Sequence, residues 1–278
     1  MSLIEAIIFG IVQGITEFLP ISSTAHIVIT QMLLGYSFPG FGFEIFLHLA
    51  SILAVIIYFR KDLVEVITGF FSYFGNRSKE NRVQFLFALY IVVATGITGV
   101  LGFLLEGSVG TFLKTPPFIA IALTVTGLFL IIIERFFKLG NRTEKDMTFL
   151  DSIIVGLGQT LAVIPGISRS GATLITALFA GLNKETAVRY SFLLSIPVIL
   201  GSTMLAIGDF TDGSLVAETG VLALVVSFIA TFIFSWIGIV WLIEFLKKSK
   251  LIYFAIYCFA AAIFIFFYFD ASFVIDVE

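Results

Sequence analysis

"GITEFLPISSTAHIVI", residues 14–29, and "AVIPGISRSGATLITALFAG", residues 162–181, decide how this chain folds. Each sits in a region apolar enough for a membrane, yet each is broken near its middle by a proline, Pro20 or Pro165, and a serine-rich turn. The apolar regions, roughly 2–35 and 150–182, leave halves of about 12–17 residues on either side of the break. That is short of the ~20 residues a helix needs to span hydrocarbon. The simplest structure is a helix–turn–helix that dips into the bilayer and returns to the side it entered. Irregular backbone at that depth is tolerated only inside protein or beside a wet cavity.

The surrounding sequence supplies the membrane. Of 278 residues, 59% are hydrophobic, 33 are Phe, 13% are charged, and the mean hydropathy is +1.10. Soluble domains carry about a quarter charged residues. Six further runs are long and clean enough to cross: roughly 43–59, 83–105, 116–134, 188–208, 218–243 and 251–268. The expected fold is an all-α polytopic membrane protein, a single domain over residues 1–278 with six transmembrane helices and two re-entrant hairpins. The Phe excess reads as lipid-facing surface. The single Cys258 excludes an internal disulfide and a cysteine metal cluster. The N-terminus "MSLIEAIIFG" lacks the basic n-region of a cleavable signal. Walker A, dinucleotide-binding and HExxH patterns are missing, as is any basic patch for nucleic acid.

The basic residues agree with two re-entrant hairpins. Arg60, Lys61, Arg77, Lys79 and Arg82 fall in one expected loop, and Arg135, Lys138, Arg142 and Lys145 in another. Lys184 and Arg189 flank the next span, and "KKSK" at 247–250 lies in the last loop. All these share one side if both interrupted regions re-enter. The other side receives only Lys114, with Glu106, Asp209, Asp212, Asp270, Asp276 and Glu278. The positive-inside rule then places the basic loops in the cytoplasm and both termini outside. "GNRSKENR" at 75–82 and "GNRTEKDM" at 140–147 read as solvated loops.

The two interrupted regions also match each other at an offset of 146 residues: Gly10 with Gly156, Gln13 with Gln159, Ile21 with Ile167, Ser22 with Ser168, Gly35 with Gly181 and Phe46 with Phe192. Three spans separate the copies, so the second is inverted, with repeats of approximately 1–134 and 147–268. Inverted repeats bring broken helices from opposite faces to one shared site.

That site has phosphate chemistry. Gln13 and Glu17 stand i,i+4 on one face of the first half-helix. Ser22 or Ser23 can cap the second, and His26 can share their face. In the other copy Pro165-Gly166 breaks the chain, Ser168 or Ser170 caps, Arg169 projects a permanent charge, and Thr173 adds a hydroxyl. An Arg at the membrane centre costs at least ~2.5–3.5 kcal/mol, so it needs a partner or a task. Arg with helix N-termini suits a phosphate oxygen. A Ser or His nucleophile with a carboxylate and an imidazole suits cleavage of a phosphoanhydride. Structural readings compete: a Glu17–Arg169 salt bridge, a satisfied His26, capping serines. Gln13 reads as an orienting group, Thr24 as helix-facing, His48 as packing or support, and Glu44 as interfacial.

"QGITEFLPISSTAH" and "PGISRSGAT" closely resemble the two signature motifs of the bacterial undecaprenyl pyrophosphate phosphatases, the bacitracin-resistance family. The first, [E/Q]-x-x-x-E followed by Ser-Ser and His, is met by Gln13, Glu17, Ser22, Ser23 and His26; the second, P-G-x-S-R-S-x-x-T, by Pro165, Gly166, Ser168, Arg169, Ser170 and Thr173. The resemblance implies hydrolysis of undecaprenyl diphosphate to undecaprenyl phosphate and inorganic phosphate at a site open to the outer face of the bacterial cytoplasmic membrane. It implies recycling of the lipid carrier for peptidoglycan synthesis, bacitracin resistance, and stimulation by a divalent cation (Mg2+ or Ca2+) on Glu17. Gln in place of Glu at position 13 weakens any scheme with two acidic metal ligands there. Glu17, Ser23, His26 and Arg169 are the expected catalytic residues, with Gln13, Ser22, Gly166, Ser168, Ser170 and Thr173 around the substrate. Ser23, His26 and water compete as nucleophile. The expected partners are the polyprenyl diphosphate and membrane lipids, with a homodimer left open. The rival reading is a transporter or flippase for the lipid carrier, which the same architecture would serve.

Overall fold

A computed structural model describes residues 1–36, 42–106, 115–137, 140–205, 213–248 and 250–269. Lys114, Lys138, Asp209, Asp212, Asp270, Asp276 and Glu278, used above for orientation, lie outside the described residues. The described residues are overwhelmingly helical: α1 (Leu3–Thr16), α2 (Ser23–Leu34), α3 (Gly42–Tyr58), α4 (Arg60–Gly75), α5 (Lys79–Glu106), α6 (Pro116–Phe136), α7 (Phe149–Thr160), α8 (Arg169–Phe179), α9 (Lys184–Leu205), α10 (Ser214–Thr219), α11 (Val221–Lys248) and α12 (Ile252–Tyr268). Short 3-10 turns cover Glu144–Asp146 and Leu161–Val163. No strand occurs among the described residues; Arg142 and Leu182 form an isolated bridge.

Four helices, α5, α6, α9 and α11, are long and apolar enough to cross a bilayer, and a fifth crossing exists if α3 and α4 count as one bent span. Their outer surface is apolar: Phe103 and Leu104 on α5, Ile121 on α6, Ile229 and Ile233 on α11 are all exposed. The chain is a multi-pass membrane protein. The expected runs at 43–59 and 251–268 become α3 and α12, each 17 residues, at the lower end of the ~17–25 that can span. The interrupted regions are helix–turn–helix units, α1–α2 and α7–α8.

Two sequence readings change. The stretch from Arg60 is not loop but the 16-residue α4, bent 74° from α3. Its Val64, Ile67, Phe71 and Phe74 repeat at helical spacing and stay exposed, the pattern of a helix lying along an interface. Basic residues at its start hid that pattern from a search for unbroken apolar runs. The Phe excess is also only partly lipid-facing: Phe9, Phe18, Phe43 and Phe87 are core.

Packing follows small residues. α1 lies in a groove of α11, so close that a Cβ on Gly14 would sit 2.7 Å from the Ser235 amide nitrogen. Backbones approach that closely in membranes where Gly, Ala, Ser and Thr line the contact; here Gly10 meets Ser227 and Ala230, and Ser235 bonds Ser51 of α3 at 3.0 Å.

Polar contacts mark the two ends of the bundle. At one, Arg189 of α9 binds Asp62 at 2.7 Å, Glu65 at 3.4 Å and Glu144, and Lys184 reaches the Leu246 carbonyl. Arg142 forks onto Asp151 at 3.0 and 2.6 Å and onto the Ala180 carbonyl, closing the base of the α7–α8 hairpin. At the other end the Met1 ammonium meets the Thr219 carbonyl at 3.5 Å, and Tyr36 binds Glu5 at 2.6 Å across the base of α1–α2. Each hairpin base is therefore closed by its own polar pair, Arg142–Asp151 for α7–α8 and Tyr36–Glu5 for α1–α2.

Candidate functional site

The hairpin turns meet inside the bundle. Ser170 Oγ donates to the Leu19 carbonyl at 2.9 Å, and Ser168 Oγ reaches the same oxygen at 3.4 Å. Each turn delivers a helix N-terminus. Ser22 caps α2 by accepting from the Ala25 amide, and Ser168 caps α8 by accepting from the Gly171 amide. Gly166 takes φ 91°, and its missing Cβ leaves room for Ala122 of α6. Ser22 takes φ 69° with a side chain, the one non-glycine at positive φ among the described residues.

The Glu17 carboxylate is the centre of the assembly. The Glu17 backbone N–H caps the end of α1 by donating to the Gln13 carbonyl, and its side chain is 1% exposed. Oε1 accepts from Arg169 Nη2 at 2.5 Å. Oε2 accepts from Gln13 Nε2 at 2.8 Å and from Ser23 Oγ at 2.7 Å, and faces His48 Nε2 at 3.1 Å. A buried carboxylate persists only with such compensation. A hydroxyl aimed at a buried carboxylate, beside a guanidinium, has the chemistry that a nucleophile–base pair with an anion clamp needs. Glu17, Ser23, His48 and Arg169 line a cavity of about 220 Å³ together with Ser22, Thr24, Glu44, Ser168 and Ser202, with Gln13 buried behind Glu17.

The sequence profile described as "Bacitracin resistance protein BacA" matches residues 6–264. The chain belongs to the BacA family. Over 278 residues, all of both chains, it is 77% identical to "Undecaprenyl-diphosphatase 2" of Halalkalibacterium halodurans. "Undecaprenyl-diphosphatase 1" of Shouchella clausii is 64% identical over 98% of each chain. "Undecaprenyl-diphosphatase 3" of Bacillus anthracis is 41% identical over 92% of this chain and 94% of its own.

In this BacA protein the structure gathers Gln13, Glu17, Ser22, Ser23, Ser168 and Arg169, and leaves four expected site residues elsewhere. His26 turns away: Nδ1 meets the Ser22 carbonyl and Nε2 the Tyr257 hydroxyl, both at 2.7 Å. The i,i+4 spacing that suggested a shared face with Ser22 is used for a backbone contact instead. Thr173 bonds back to the Arg169 and Ser170 carbonyls of its own helix. Ser170 is spent on Leu19, and Gly166 serves the turn.

Three pocket residues were underrated from sequence. His48 stands on Glu17, Glu44 accepts from Thr24 Oγ1 at 2.5 Å, and Thr24 faces the cavity rather than the helix interior. The missed signal was Glu44 and His48 at i,i+4 in an apolar span, where ionisable residues are costly.

A cation on Glu17 does not fit this arrangement. Both carboxylate oxygens are engaged, one by a guanidinium that would repel a cation. Among the described residues no three His, Cys, Asp or Glu side chains converge as a metal site.

Proposed function

We propose that this chain is a membrane-embedded phosphatase that hydrolyses undecaprenyl diphosphate to undecaprenyl phosphate and inorganic phosphate, recycling the lipid carrier for peptidoglycan synthesis and conferring bacitracin resistance. The names of its relatives support the substrate. The observation that carries the chemistry is Ser23 Oγ held 2.7 Å from Glu17 Oε2, with Arg169 on the other oxygen.

Ser23 Oγ attacks the terminal phosphorus while its proton passes to Glu17. The Oγ–P bond forms, the bridging P–O bond breaks, and polyprenyl monophosphate leaves. Glu17 takes only Nη2 of Arg169, so the remaining guanidinium N–H groups hold the phosphoryl oxygens from the outset, together with the amides of the first turns of α2 and α8. The departing monophosphate carries the proton of Ser23 away and leaves Glu17 ionised; water then attacks the phosphoserine and gives its proton to Glu17, which returns it to Ser23 Oγ as the Oγ–P bond breaks and phosphate is released. Gln13 and His48 hold the carboxylate in place. A divalent cation would have to come bound to the substrate's diphosphate, whose charge it would neutralise, and no step of this reading runs through it.

An apolar groove of about 390 Å³ between α6 and the α7–α8 hairpin, lined by Phe129, Ile132, Leu161 and Phe179, meets the pocket at Ile167 and Ser168. It suits the polyprenyl tail. Filling it by Ala172→Phe is expected to raise KM for a C55 diphosphate more than for a C15 diphosphate.

The finer membrane arrangement belongs to the same proposal: six spans, two re-entrant hairpins and inverted repeats in the bacterial cytoplasmic membrane. Its support is the gathering of Arg142, Lys184 and Arg189 at one end and the 146-residue offset between the starts of α1 and α7 and of α2 and α8. The pocket is lined by the start of α3 and the end of α9. Both point to the end opposite the basic one, the outer face. A homodimer is a further expectation, read by light scattering in detergent. The deciding experiment is phosphate release from C55 or C15 diphosphate by purified protein, set against Arg169→Ala and Glu17→Ala. Turnover surviving in both variants would remove this site.

A further inference from the structure

Ser22 holds a backbone conformation that L-residues rarely adopt, φ 69° and ψ 100°. Such a residue persists only where its surroundings over-determine it. Its carbonyl is held by the ring of His26, Nδ1 to O at 2.7 Å. A carbonyl oxygen can only accept, so Nδ1 carries the hydrogen. In the neutral ring Nε2 is then an acceptor, and the Tyr257 hydroxyl, 2.7 Å away, donates to it. The two rings stack at 5.5 Å with an interplanar angle of 13°. The next residue on α12, Cys258, donates its Sγ–H to the Pro20 carbonyl at 3.7 Å. The last helix thus touches the first turn at two successive residues, on both sides of the strained position.

We propose that Tyr257 is a positioning residue: acting through His26 and the Ser22 carbonyl, it locks the turn that aims Ser23 at Glu17. The inference rests on the Ser23 reading above and deepens it. It also gives His26 a different role from the one its sequence position suggested. Both ring nitrogens are engaged and the ring does not line the phosphate cavity, so a phosphohistidine would require both contacts to break. Tyr257 is 45% exposed and far in sequence from both motifs, so neither motif contains this contribution.

Tyr257→Phe keeps the stacked ring and deletes the hydroxyl. Loss of one hydrogen bond that orients the nucleophile is expected to lower kcat about tenfold. KM should stay within about twofold, because the Arg169 clamp is untouched. The melting temperature in detergent should hold. The chain has only 2 histidines, so nitrogen-15 spectra of labelled histidine can follow His26 directly. The wild type should show the Nδ1–H tautomer with a hydrogen-bonded Nε2, and Tyr257→Phe a downfield shift of the Nε2 resonance as that acceptor loses its donor. In a double-variant cycle, adding Tyr257→Phe to His26→Ala should cost no further rate, because the two lie on one chain. A wild-type kcat in Tyr257→Phe, an unchanged Nε2 resonance, or additive losses would overturn the clamp. The phosphatase reading has its own marker. An inactive Ser23→Ala beside a fully active Tyr257→Phe rejects the clamp alone, whereas an active Ser23→Ala rejects the nucleophile on which it rests.

Discussion

At the first helical position of α2 stands Ser23; at the first helical position of α8, 146 residues later, stands Arg169. The caps before them are Ser22 and Ser168, and the half-helices leading in carry Gln13 and Gln159. On this shared frame the chemistry has diverged. The first hairpin puts Glu17 at the end of its leading helix, where the second has Val163. Gln13 therefore donates to a carboxylate, whereas Gln159 donates to Thr98 Oγ1 at 2.9 Å in a neutral network with α5. The left-handed residue is a serine in the first turn and a glycine in the second. One hairpin supplies a hydroxyl and a carboxylate, the other the cation that meets them. Two helix ends from opposite faces can share one anion, while a single hairpin offers one N-terminus and no counter-charge of its own.

That contrast can be broken most sharply at its charges. Arg169→Ala and Glu17→Ala are each expected to cut phosphate release by about 10²–10³-fold. Arg169→Lys should recover little, because a point charge does not replace the fork. The hairpin bases come next. Arg142→Ala leaves Asp151, whose side chain is 4% exposed, with only the Thr148 amide and hydroxyl, and should destabilise by about 2 kcal/mol. Tyr36→Phe, which removes the bond closing the other base, should cost about 1 kcal/mol. Thermal unfolding in detergent ranks the two. At the turns, Gly166→Ala places a Cβ 2.8 Å from that of Ala122 at φ 91°, an expected loss of about 2 kcal/mol. Ser22→Gly trades a cap for relief of strain and should stay within about 1 kcal/mol. The glutamines give the smallest and most pointed difference: Gln13→Leu should slow turnover about tenfold, Gln159→Leu less than about twofold. Equal effects would mean that both copies do the same work.

Much of the fold was legible because broken helices, proline turns and basic loops are local signals. The membrane class, the two hairpins and the 146-residue offset needed only the chain itself. α4 was missed because its apolar face is interleaved with Arg60, Lys61 and Glu65, so no single run stood out. The site was legible as two motifs, and a buried guanidinium in need of a partner or a task put the Glu17–Arg169 salt bridge among the competing readings. His26 and His48 exchanged places for a reason that spacing does not contain. Whether a histidine turns toward its own helix start or toward a neighbour depends on which neighbour is there. α12 offers a hydroxyl to His26, and Glu17 offers a carboxylate to His48.

The amino-acid sequence by itself determined that this chain lives in lipid, breaks twice, and carries an acid, hydroxyls and a guanidinium at the breaks. Those are properties of composition and short-range spacing, governed by the cost of polar groups in hydrocarbon. Only the tertiary structure decided which side chains converge on Glu17, that its carboxylate is too fully bonded to take a cation, and that α12 reaches the first turn. Contacts between residues 152 or 231 positions apart depend on how helices pack, and packing is set by the shapes of all of them together.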